Sequence, residues 1–386
     1  MHGVARPGAA GGTTMGVEEE FLLVDAHTRQ AVPLAGAVLA DAAEEDDGLG
    51  TELHAELLSS QVEAVTGRCT ELAELEQHLR CGRRKLATAA RRAEALLVSA
   101  GTPVVSGPPP PVSDGERFRR IADAYQAVVA DYQSCGCHVH VGVPDQDTGV
   151  AVLNHLRPWL PVLVALSANS PYHLGRDTGY MSWRIMLQSR FPGSGVPPCF
   201  ASAAAYHEQL DRLVACGALV DPRMNFWLAR LSPHLPTVEV RATDALLAVE
   251  DTVLIAALTR GLVQHALAEL AAGREAPRVG EQAAAAAVWS AARYGPTGPA
   301  VDLLREERVP APELVRTMLD RVSPALEETG DLAVVRERLR SLSAHGTGAD
   351  QQRRAARGGP LAVVDMIADH TYPLRPVQTM TPEEAR

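Results

Sequence analysis

The stretch TVEVRATDA, residues Thr237–Ala245, alternates apolar and polar residues as a β-strand with one buried face does. In an extended chain successive side chains point to opposite faces, so the apolar positions are predicted to share one face and the polar positions the other. The two sets are Val238, Val240 and Ala242, and Glu239, Arg241 and Thr243. Taken alone, such a segment is most simply a strand whose charged face lies in solvent.

Two further segments repeat the pattern. In GVEEEFLL (16–23), alternation places Glu18 and Glu20 on one face and Glu19 on the apolar face. In CHVHVGV (137–143), His138 and His140 face one way and the cysteine and valines face the other. If the three strands belong to one sheet, its polar face gathers Glu18, Glu20, His138, His140, Glu239 and Arg241. Clustered carboxylates repel one another unless cations lie among them, so the recurrence predicts a metal site.

The ligand types narrow the choice of metal. Several carboxylates with one or two imidazoles suit Mg²⁺ or Mn²⁺ better than Zn²⁺. Cys135 and Cys137 flank the histidines, but Cys137 is predicted to lie on the face opposite both of them. The sequence has no CxxC pair, which disfavours a structural zinc knuckle.

Composition and charge restrict the class of protein. The chain has 386 residues, of which 46% are hydrophobic and 22% charged, as in soluble globular proteins. A net charge of −11 argues against a nucleic-acid partner, which would require a basic surface. The N-terminus lacks the apolar core of a signal peptide, and no apolar run reaches the length of a membrane span. We therefore expect no membrane partner. The six dispersed cysteines are most simply reduced thiols in a cytoplasmic protein.

The order of elements predicts an α+β fold, because strands and helices mix without regular βαβ alternation. Helices are predicted from about Glu71 to Ser99, from about Arg117 to Tyr132, and between Thr148 and Asn169 with a break at the prolines. Residues 1–14 are rich in Gly and Ala and are predicted to be a disordered tail. The rest, residues 15–386, is predicted to be a single catalytic domain.

Six motifs, in order and at characteristic spacing, carry a resemblance to a known family. They are GVEEEF, LLSSQVEAVTG, CGCHVHVGV, LSANSPYHLGRDTGYMSWR, FPGSGVPP and HLPTVEVRATD. From about Gly16 to beyond residue 320, the chain resembles carboxylate–amine ligases of the type 2 glutamate–cysteine ligase family. The resemblance implies a fold similar to the catalytic part of glutamine synthetase. That fold is a curved, mainly antiparallel sheet with helices on its outer side, and ATP and metal ions in the concave face.

The resemblance also implies roles for individual residues. The implied metal ligands are Glu18, Glu20, Glu56, Glu63, His138 and Glu239. Arg241, beside Glu239, is expected to stabilise the transferring phosphoryl group, and Arg184 to hold the substrate carboxylate. His140 and Arg230 are expected to contact ATP or substrate, although His140 could instead be a core histidine. Glu52 competes with Glu56 for the ligand position.

The function that follows from the resemblance is ATP-dependent joining of a small carboxylic acid to an amine through an acyl phosphate, with Mg²⁺ or Mn²⁺. Glutamate and cysteine are the substrates of the family name, but relatives commonly have other residues where this chain has Leu228 and Leu231, so the acceptor stays open. A ligase of a specialised pathway, a metal-dependent amide or ester hydrolase, and a silent binding protein are the alternatives. We expect the active form to be a homodimer.

Overall fold

The computed structural model describes residues 11–45 and 48–373 of the chain. The strands within them are β1 (Met15–Asp25), β2 (Glu52–Ala55), β3 (Gln61–Val65), β4 (Ala95–Val98), β5 (Gly136–Gly142), β6 (Tyr172–His173), β7 (Arg176–Asp177), β8 (Ser194–Gly195), β9 (Phe226–Trp227), β10 (Ala229–Leu231), β11 (Thr237–Asp244), β12 (Pro299–Asp302) and β13 (Glu307–Pro310). The helices are α1 (Ala35–Ala42), α2 (Leu72–Arg92), α3 (Glu116–Tyr125), α4 (Ala127–Ala130), α5 (Gln146–Leu156), α6 (Leu160–Leu166), α7 (Trp183–Gln188), α8 (Ala203–Ala215), α9 (Val249–Ala271), α10 (Glu281–Tyr294), α11 (Ala311–Glu328), α12 (Leu332–His345), α13 (Gly348–Ala355) and α14 (Pro360–Thr371).

A seven-stranded sheet forms the centre of the molecule. Its strands run in the order β10, β11, β5, β1, β3, β2, with β4 also paired to β1, and every pair is antiparallel. The predicted α+β class with an antiparallel sheet is therefore confirmed. The three segments that share the alternating pattern are the neighbouring strands β11, β5 and β1, so their polar faces form one surface.

The other face of these strands is part of the hydrophobic core. Val139 and Val141 of β5 and Val238 and Val240 of β11 are fully buried there. Glu19 lies on the same side, where it contacts the long helices α2 and α9 rather than solvent. The predicted orientation of Glu19, away from Glu18 and Glu20, agrees with this contact.

A β-bulge changes the faces at the end of β11. Val240 pairs with Val139 and Thr243 pairs with Cys137, so Arg241 and Ala242 together lie opposite the single residue His138. The prediction that Thr243 shares a face with Glu239 is therefore wrong. Thr243 is buried beside Cys137 and donates to its carbonyl oxygen at 2.5 Å. The same shift places the next residue, Asp244, on the polar face.

Several predicted boundaries differ from the structure. The helix predicted as far as Ser99 ends at Arg92, because Glu94 takes a positive φ of 56° and turns the chain into β4, which pairs with β1. The helix predicted between Arg117 and Tyr132 is interrupted at Gln126, where φ is 46°. The predicted break at the prolines separates α5 from α6, whose axes differ by 65°.

The predicted disordered tail needs a correction at its C-terminal end. Residues 1–10 lie outside the described residues. Residues 11–14 run beside β5, where the Gly12 N–H donates to Gly142 O at 2.7 Å and the Gly142 N–H donates to Thr14 O at 3.1 Å. These backbone hydrogen bonds fix a segment whose composition alone is typical of a flexible tail.

Helix α9 corrects the expectation about apolar runs. By length and composition it could cross a membrane. However, 67% of its most apolar window is buried within the protein. It packs against β5, α2, α5 and α11, so its place in the core accounts for its apolar sequence.

Candidate active site

Strand pairing brings the predicted site residues onto one surface. Directly opposed residues in an antiparallel pair point to the same side of the sheet. Three such pairs connect four neighbouring strands, namely Glu18 with His138, Glu20 with Glu63, and Glu239 with His140. We call this surface, with Glu56 and Arg241, the polar face.

Glu18 is the centre of the histidine contacts. Its two carboxylate oxygens lie 3.0 Å from His138 Nδ1 and 3.0 Å from His140 Nε2. Burial alone would raise the pKa of Glu18, but the hydrogen bonds to both imidazoles outweigh burial and lower the pKa well below its ordinary value. Burial lowers the pKa of His138. For His140, burial is outweighed by the Glu18 hydrogen bond together with the charges of Glu239 and Glu18, so the pKa is raised.

Glu239 is held between two arginines. Arg230 donates two hydrogen bonds to it, Nε to Oε2 at 2.7 Å and Nη2 to Oε1 at 3.1 Å, and Arg241 Nη1 contacts Oε1. Arg241 Nη1 also lies 3.2 Å from His138 Nδ1. Burial would raise the pKa of Glu239, but the two arginines outweigh it and lower the pKa far below its ordinary value. Glu239 is therefore a permanently charged acid.

The carboxylates of Glu20, Glu56 and Glu63 form the opposite end of the polar face. One oxygen of each lies within 4.8 Å of the others. Burial, followed by repulsion from Glu20, raises the pKa of Glu56 to about 8. Burial and the charge of Glu56 raise the pKa of Glu63 well above its ordinary value. Without added positive charge, this end retains protons near neutral pH.

The structure places Glu52 and Glu56 in different surroundings. Glu52 is exposed and lies near His54 Nε2, at 3.3 Å, whereas Glu56 lies in the carboxylate cluster just after β2. Glu56 directly follows strand β2 and does not lie at the end of a helix. Spacing along the chain could not distinguish the two, because the short β2–β3 connection determines which carboxylate reaches the cluster.

The polar face has the donor set of a hard divalent cation. Its residues form three groups, and within each group the ligand atoms lie within 4.8 Å of one another. Neighbouring groups share Glu18 or Glu63. The groups are Glu18, His140 and Glu239; Glu18, Glu63 and His138; and Glu20, Glu56 and Glu63. His138 Nε2 is buried and has no hydrogen-bond partner among the described residues. Carboxylate oxygens with one or two imidazoles suit Mg²⁺ or Mn²⁺, so these residues fit the predicted metal.

A fourth group, Cys69, Glu74 and His78, lies away from the polar face near the start of α2. Its atoms are already engaged within the protein. The Cys69 thiol donates to Gly67 O, the Gly67 N–H donates to His78 Nδ1 at 3.3 Å, and the Thr70 N–H donates to Glu74 at 3.1 Å. Local hydrogen bonding therefore accounts for this cluster.

Arg184 lies beside the polar face. The side chain is 2% exposed, and its Nη2 donates to Arg241 O at 3.4 Å. Its Nε and Nη1 have no hydrogen-bond partner in the part of the chain that the structure describes. Gly136 makes room for the guanidinium, since a Cβ at that position would lie 2.3 Å from Arg184 Nη2. A buried cation with unpaired donors is suited to receive an anion.

Two cavities flank the metal-ligand candidates. The larger, about 540 Å³, is lined by Glu18, His140, residues 11–16 and residues 65–68. The smaller, about 120 Å³, is lined by Glu20, Glu56, four arginines and an apolar wall. The arginines are Arg117, Arg184, Arg223 and Arg241. Sequence reasoning missed Arg117, in the first turn of α3, and Arg223, in the short 3-10 turn Pro222–Met224. No motif marks either arginine, and both lie near the carboxylate of Asp221.

Two further residues of the six motifs, and the two leucines where relatives differ, lie elsewhere. Asn169 is not free to bind a substrate, because its amide nitrogen donates to Ser99 O and Ala245 O. His234 is exposed in the loop between β10 and β11. Leu228 and Leu231 are buried in the core, so their apolar character serves packing.

The fold gathers carboxylates, imidazoles and arginines on one face of an antiparallel sheet, and comparisons with known proteins identify the family of the chain. The family described as Glutamate-cysteine ligase family 2 (GCS2) matches residues 14–365. A Saccharopolyspora erythraea protein, provisionally named glutamate–cysteine ligase 2-2, is 58% identical over 372 residues, covering 96% of this chain and 95% of that protein. A Salinispora arenicola protein, provisionally named glutamate–cysteine ligase 2, is 43% identical over 93% of this chain and 95% of that protein. The chain belongs to glutamate–cysteine ligase family 2.

A solved structure supports the fold. The crystal structure of glutamate–cysteine ligase from Francisella tularensis in complex with AMP superposes with a TM-score of 0.69. The two sequences are 13% identical, and the match covers 93% of this chain and 88% of that chain. At this identity the likeness concerns the fold.

Proposed function

We propose that the protein is an ATP-dependent carboxylate–amine ligase that forms an amide bond through an acyl phosphate, with glutamate and cysteine as the first pair to test. The observation that carries the proposal is the polar face, on which acids, imidazoles and arginines converge in a chain of this family. A carboxylate oxygen is a poor leaving group. Transfer of the terminal phosphoryl group of ATP to this oxygen gives an acyl phosphate and ADP. Phosphate then leaves when the amine attacks the acyl carbon.

Glu18, Glu20, Glu56, Glu63, His138 and Glu239 would hold Mg²⁺ or Mn²⁺ against the ATP phosphates. The bound ions would supply neutralisation of the phosphate charge. The protein supplies orientation: His140, between Glu18 and Thr237 Oγ1, and Arg230, on Glu239, fix the acids at one end of the face. Arg241 lies between Glu239 and the smaller cavity, where a cation meets charge that develops on the transferring phosphoryl group.

The two cavities suggest how the substrates divide. The larger has the volume for a nucleotide and ends at Glu18 and His140. The smaller is rich in arginine, with Arg184 presenting unpaired donors, and suits the carboxylic acid. The metal-ligand candidates lie between the two cavities. The ATP phosphates in the larger cavity and the substrate carboxylate in the smaller one would therefore meet at these candidates. This arrangement favours a concave, glutamine-synthetase-like face within a single catalytic domain, residues 15–386.

The hydrolase and the silent binding protein predict different behaviour. A metal-dependent hydrolase would cleave an amide or ester regardless of ATP, and a silent protein would release no ADP. The arginine-rich cavity favours the ligase, because water as the second substrate needs no such anion site. A ligase of a specialised pathway uses the same chemistry, and the acids and amines accepted would distinguish it.

The cellular form remains a prediction: a homodimer in the cytoplasm, acting on small molecules without nucleic acid or membrane. Light scattering by the purified protein tests the dimer.

The central experiment measures ADP and phosphate release with ATP, Mg²⁺, glutamate and cysteine, and identifies the product by mass. We expect ADP only when acid and amine are both present, with a product heavier than glutamate by cysteine minus water. Amide cleavage that does not depend on ATP would replace the ligase by the hydrolase. Release of ADP with other acid–amine pairs alone would assign a specialised substrate.

A further inference from the structure

Asp244, which the β-bulge turns onto the polar face, collects three hydrogen bonds while almost fully buried, at 1% exposed. Its Oδ2 accepts from the Asn169 N–H at 2.9 Å and from Ser170 Oγ at 2.7 Å. Its Oδ1 accepts from Ser182 Oγ at 2.8 Å. This carboxylate contacts neither cavity, so it belongs to the support of the site rather than to its surface.

The donors to Asp244 come from two segments that meet at Arg184. Ser170 Oγ, which donates to Asp244, accepts the backbone N–H of Arg184 at 3.0 Å. Ser170 O accepts the N–H of Trp183 at 2.9 Å, and Ser182 precedes the helix that carries Arg184. One carboxylate thus holds, directly or through Ser170, the backbone at Arg184 and at the residues just before it.

This support acts together with the attraction between the charges of Asp244 and Arg184, because the guanidinium itself makes few hydrogen bonds among the described residues. Of its three nitrogens only Nη2 makes a hydrogen bond among the described residues, a long one to Arg241 O. Leaving buried donors unpaired is costly, so a freely mobile side chain would turn toward other acceptors. The guanidinium packs against Gly136, and Ser170 holds the backbone N–H of Arg184. These two contacts keep Nε and Nη1 of Arg184 at the smaller cavity.

We infer that Asp244 is a positioning residue that acts through Ser170 to hold Arg184 ready for the carboxylate of the acid substrate. The inference rests on the proposed function, in which Arg184 binds that acid. It differs from a purely structural role in one measurable respect. Loss of the anchor weakens capture of the acid while leaving nucleotide binding and the phosphoryl-transfer residues in place.

The test compares Asp244→Asn and Ser170→Ala with wild type in steady-state kinetics. Each removes a link in the anchor but leaves Arg184 and the metal-ligand candidates unchanged. We expect KM for glutamate to rise about tenfold, the size of one charge-assisted hydrogen bond. We expect kcat and KM for ATP to stay within about threefold, because neither group touches the nucleotide cavity.

Thr243→Val is the matched control. Thr243 is adjacent to Asp244 and as deeply buried, and its side chain also makes a hydrogen bond. It lies on the opposite face of β11. If this variant raises KM for glutamate as much as Asp244→Asn, general loosening of the strand explains the effect and the inference fails. Unchanged KM for glutamate in both anchor variants also overturns it.

Crystal structures of wild type and Asp244→Asn make the inference independent of the choice of substrate. If wild type does not use glutamate, the proposed substrate fails, but the position of Arg184 can still be compared. Displacement of the guanidinium from Gly136 in the variant supports the positioning role. An unmoved Arg184 overturns it.

Discussion

Glu19 and Arg83 form a buried ion pair on the face of β1 opposite to Glu18 and Glu20. Arg83 Nη2 lies 2.6 Å from Glu19 Oε1 and Nε lies 3.0 Å from Oε2, with both side chains at most 3% exposed. Arg83 also donates to Leu246 O and Leu247 O, just beyond β11. Three consecutive glutamates therefore serve two purposes: the outer two face the site, and the middle one ties β1 to helix α2 and to the end of β11.

This division predicts opposite phenotypes for adjacent substitutions. Glu19→Gln leaves Arg83 as an uncompensated buried charge, so we expect the free energy of unfolding to fall by about 3–5 kcal/mol. Turnover per folded molecule should stay within about tenfold, because Glu19 does not face the reacting groups. Denaturant unfolding and ADP release at a temperature where the variant is folded measure the two effects.

Glu18→Gln is the matched comparison, one residue away on the same strand. It removes the carboxylate that meets both imidazoles, and we expect turnover to fall by about a hundredfold or more. The same loss is expected for Glu239→Gln. Equal sensitivity of turnover to Glu19→Gln and Glu18→Gln would show that the assigned faces of β1 are incorrect.

Chelation of divalent ions is expected to abolish activity. The polar face brings Glu18, Glu20, Glu56, Glu63 and Glu239 together with two arginines and two histidines, and phosphates add further negative charge. Turnover should disappear in excess EDTA and return with Mg²⁺ or Mn²⁺. Undiminished ADP release in EDTA would remove the metal from the proposal.

The stability of the metal-free protein should depend on pH through Glu56. Its pKa is raised from 4.5 to about 8 on folding. Proton binding therefore stabilises the folded state fully below pH 4.5, and this stabilisation is lost as the pH rises through about 8. Metal binding displaces these protons, so the affinity for Mg²⁺ should increase over the same range.

Thermal unfolding between about pH 5 and pH 9, with and without Mg²⁺, measures this linkage. Glutamine does not ionise, so Glu56→Gln should weaken the metal-free dependence between pH 4.5 and about 8; Glu63, whose pKa is also raised, supplies the rest. Glu52→Gln is the control for the metal-free curve, since that carboxylate lines the larger cavity but is exposed and lies outside the cluster. If Glu52→Gln flattens the curve and Glu56→Gln does not, the ligand position is Glu52.

The polar face could be predicted because its strands are regular. Alternation fixes which side chains share a side, and the antiparallel register then brings Glu18 opposite His138 and Glu239 opposite His140. The prediction fails where regularity ends. The bulge beside Arg241 inserts one residue, which moves Thr243 to the core and brings Asp244 forward, and nothing in TVEVRATD marks the insertion.

The other missed features depend on contacts distant in sequence. β4 was assigned to a helix because Ala and Leu favour helices, but pairing with β1 outweighs that weak preference. Arg117, at the start of α3, and Arg223, in the 3-10 turn Pro222–Met224, reach the smaller cavity from segments about 100 residues apart in the chain. The anchor of Arg184 joins residues 170, 182 and 244, which no local pattern connects.

Substitution of Arg241 tests whether a cation on the polar face is needed for turnover. Its side chain is 12% exposed, contacts Glu239 and His138, and lines the cavity assigned to the acid. Burial would lower its pKa, but the charges of Glu239 and Glu20 outweigh burial and raise the pKa, so Arg241 is always charged. Arg230 separately neutralises Glu239 through two hydrogen bonds, so replacing Arg241 does not leave that acid unpaired.

Arg241→Lys should therefore fold and bind ATP nearly as wild type does, but turn over about a hundredfold more slowly. Lysine keeps the charge but lacks the planar pair of donors that meets charge developing on the transferring phosphoryl group. Arg241→Ala should be slower still. Arg190→Lys, at an exposed ion pair with Asp131, is the control for the same chemical change away from the site. Thermal unfolding, ATP binding and ADP release on the three variants separate the effects. Near-normal turnover of Arg241→Lys and Arg241→Ala, or a loss that follows unfolding, would assign Arg241 to the structure of β11 alone.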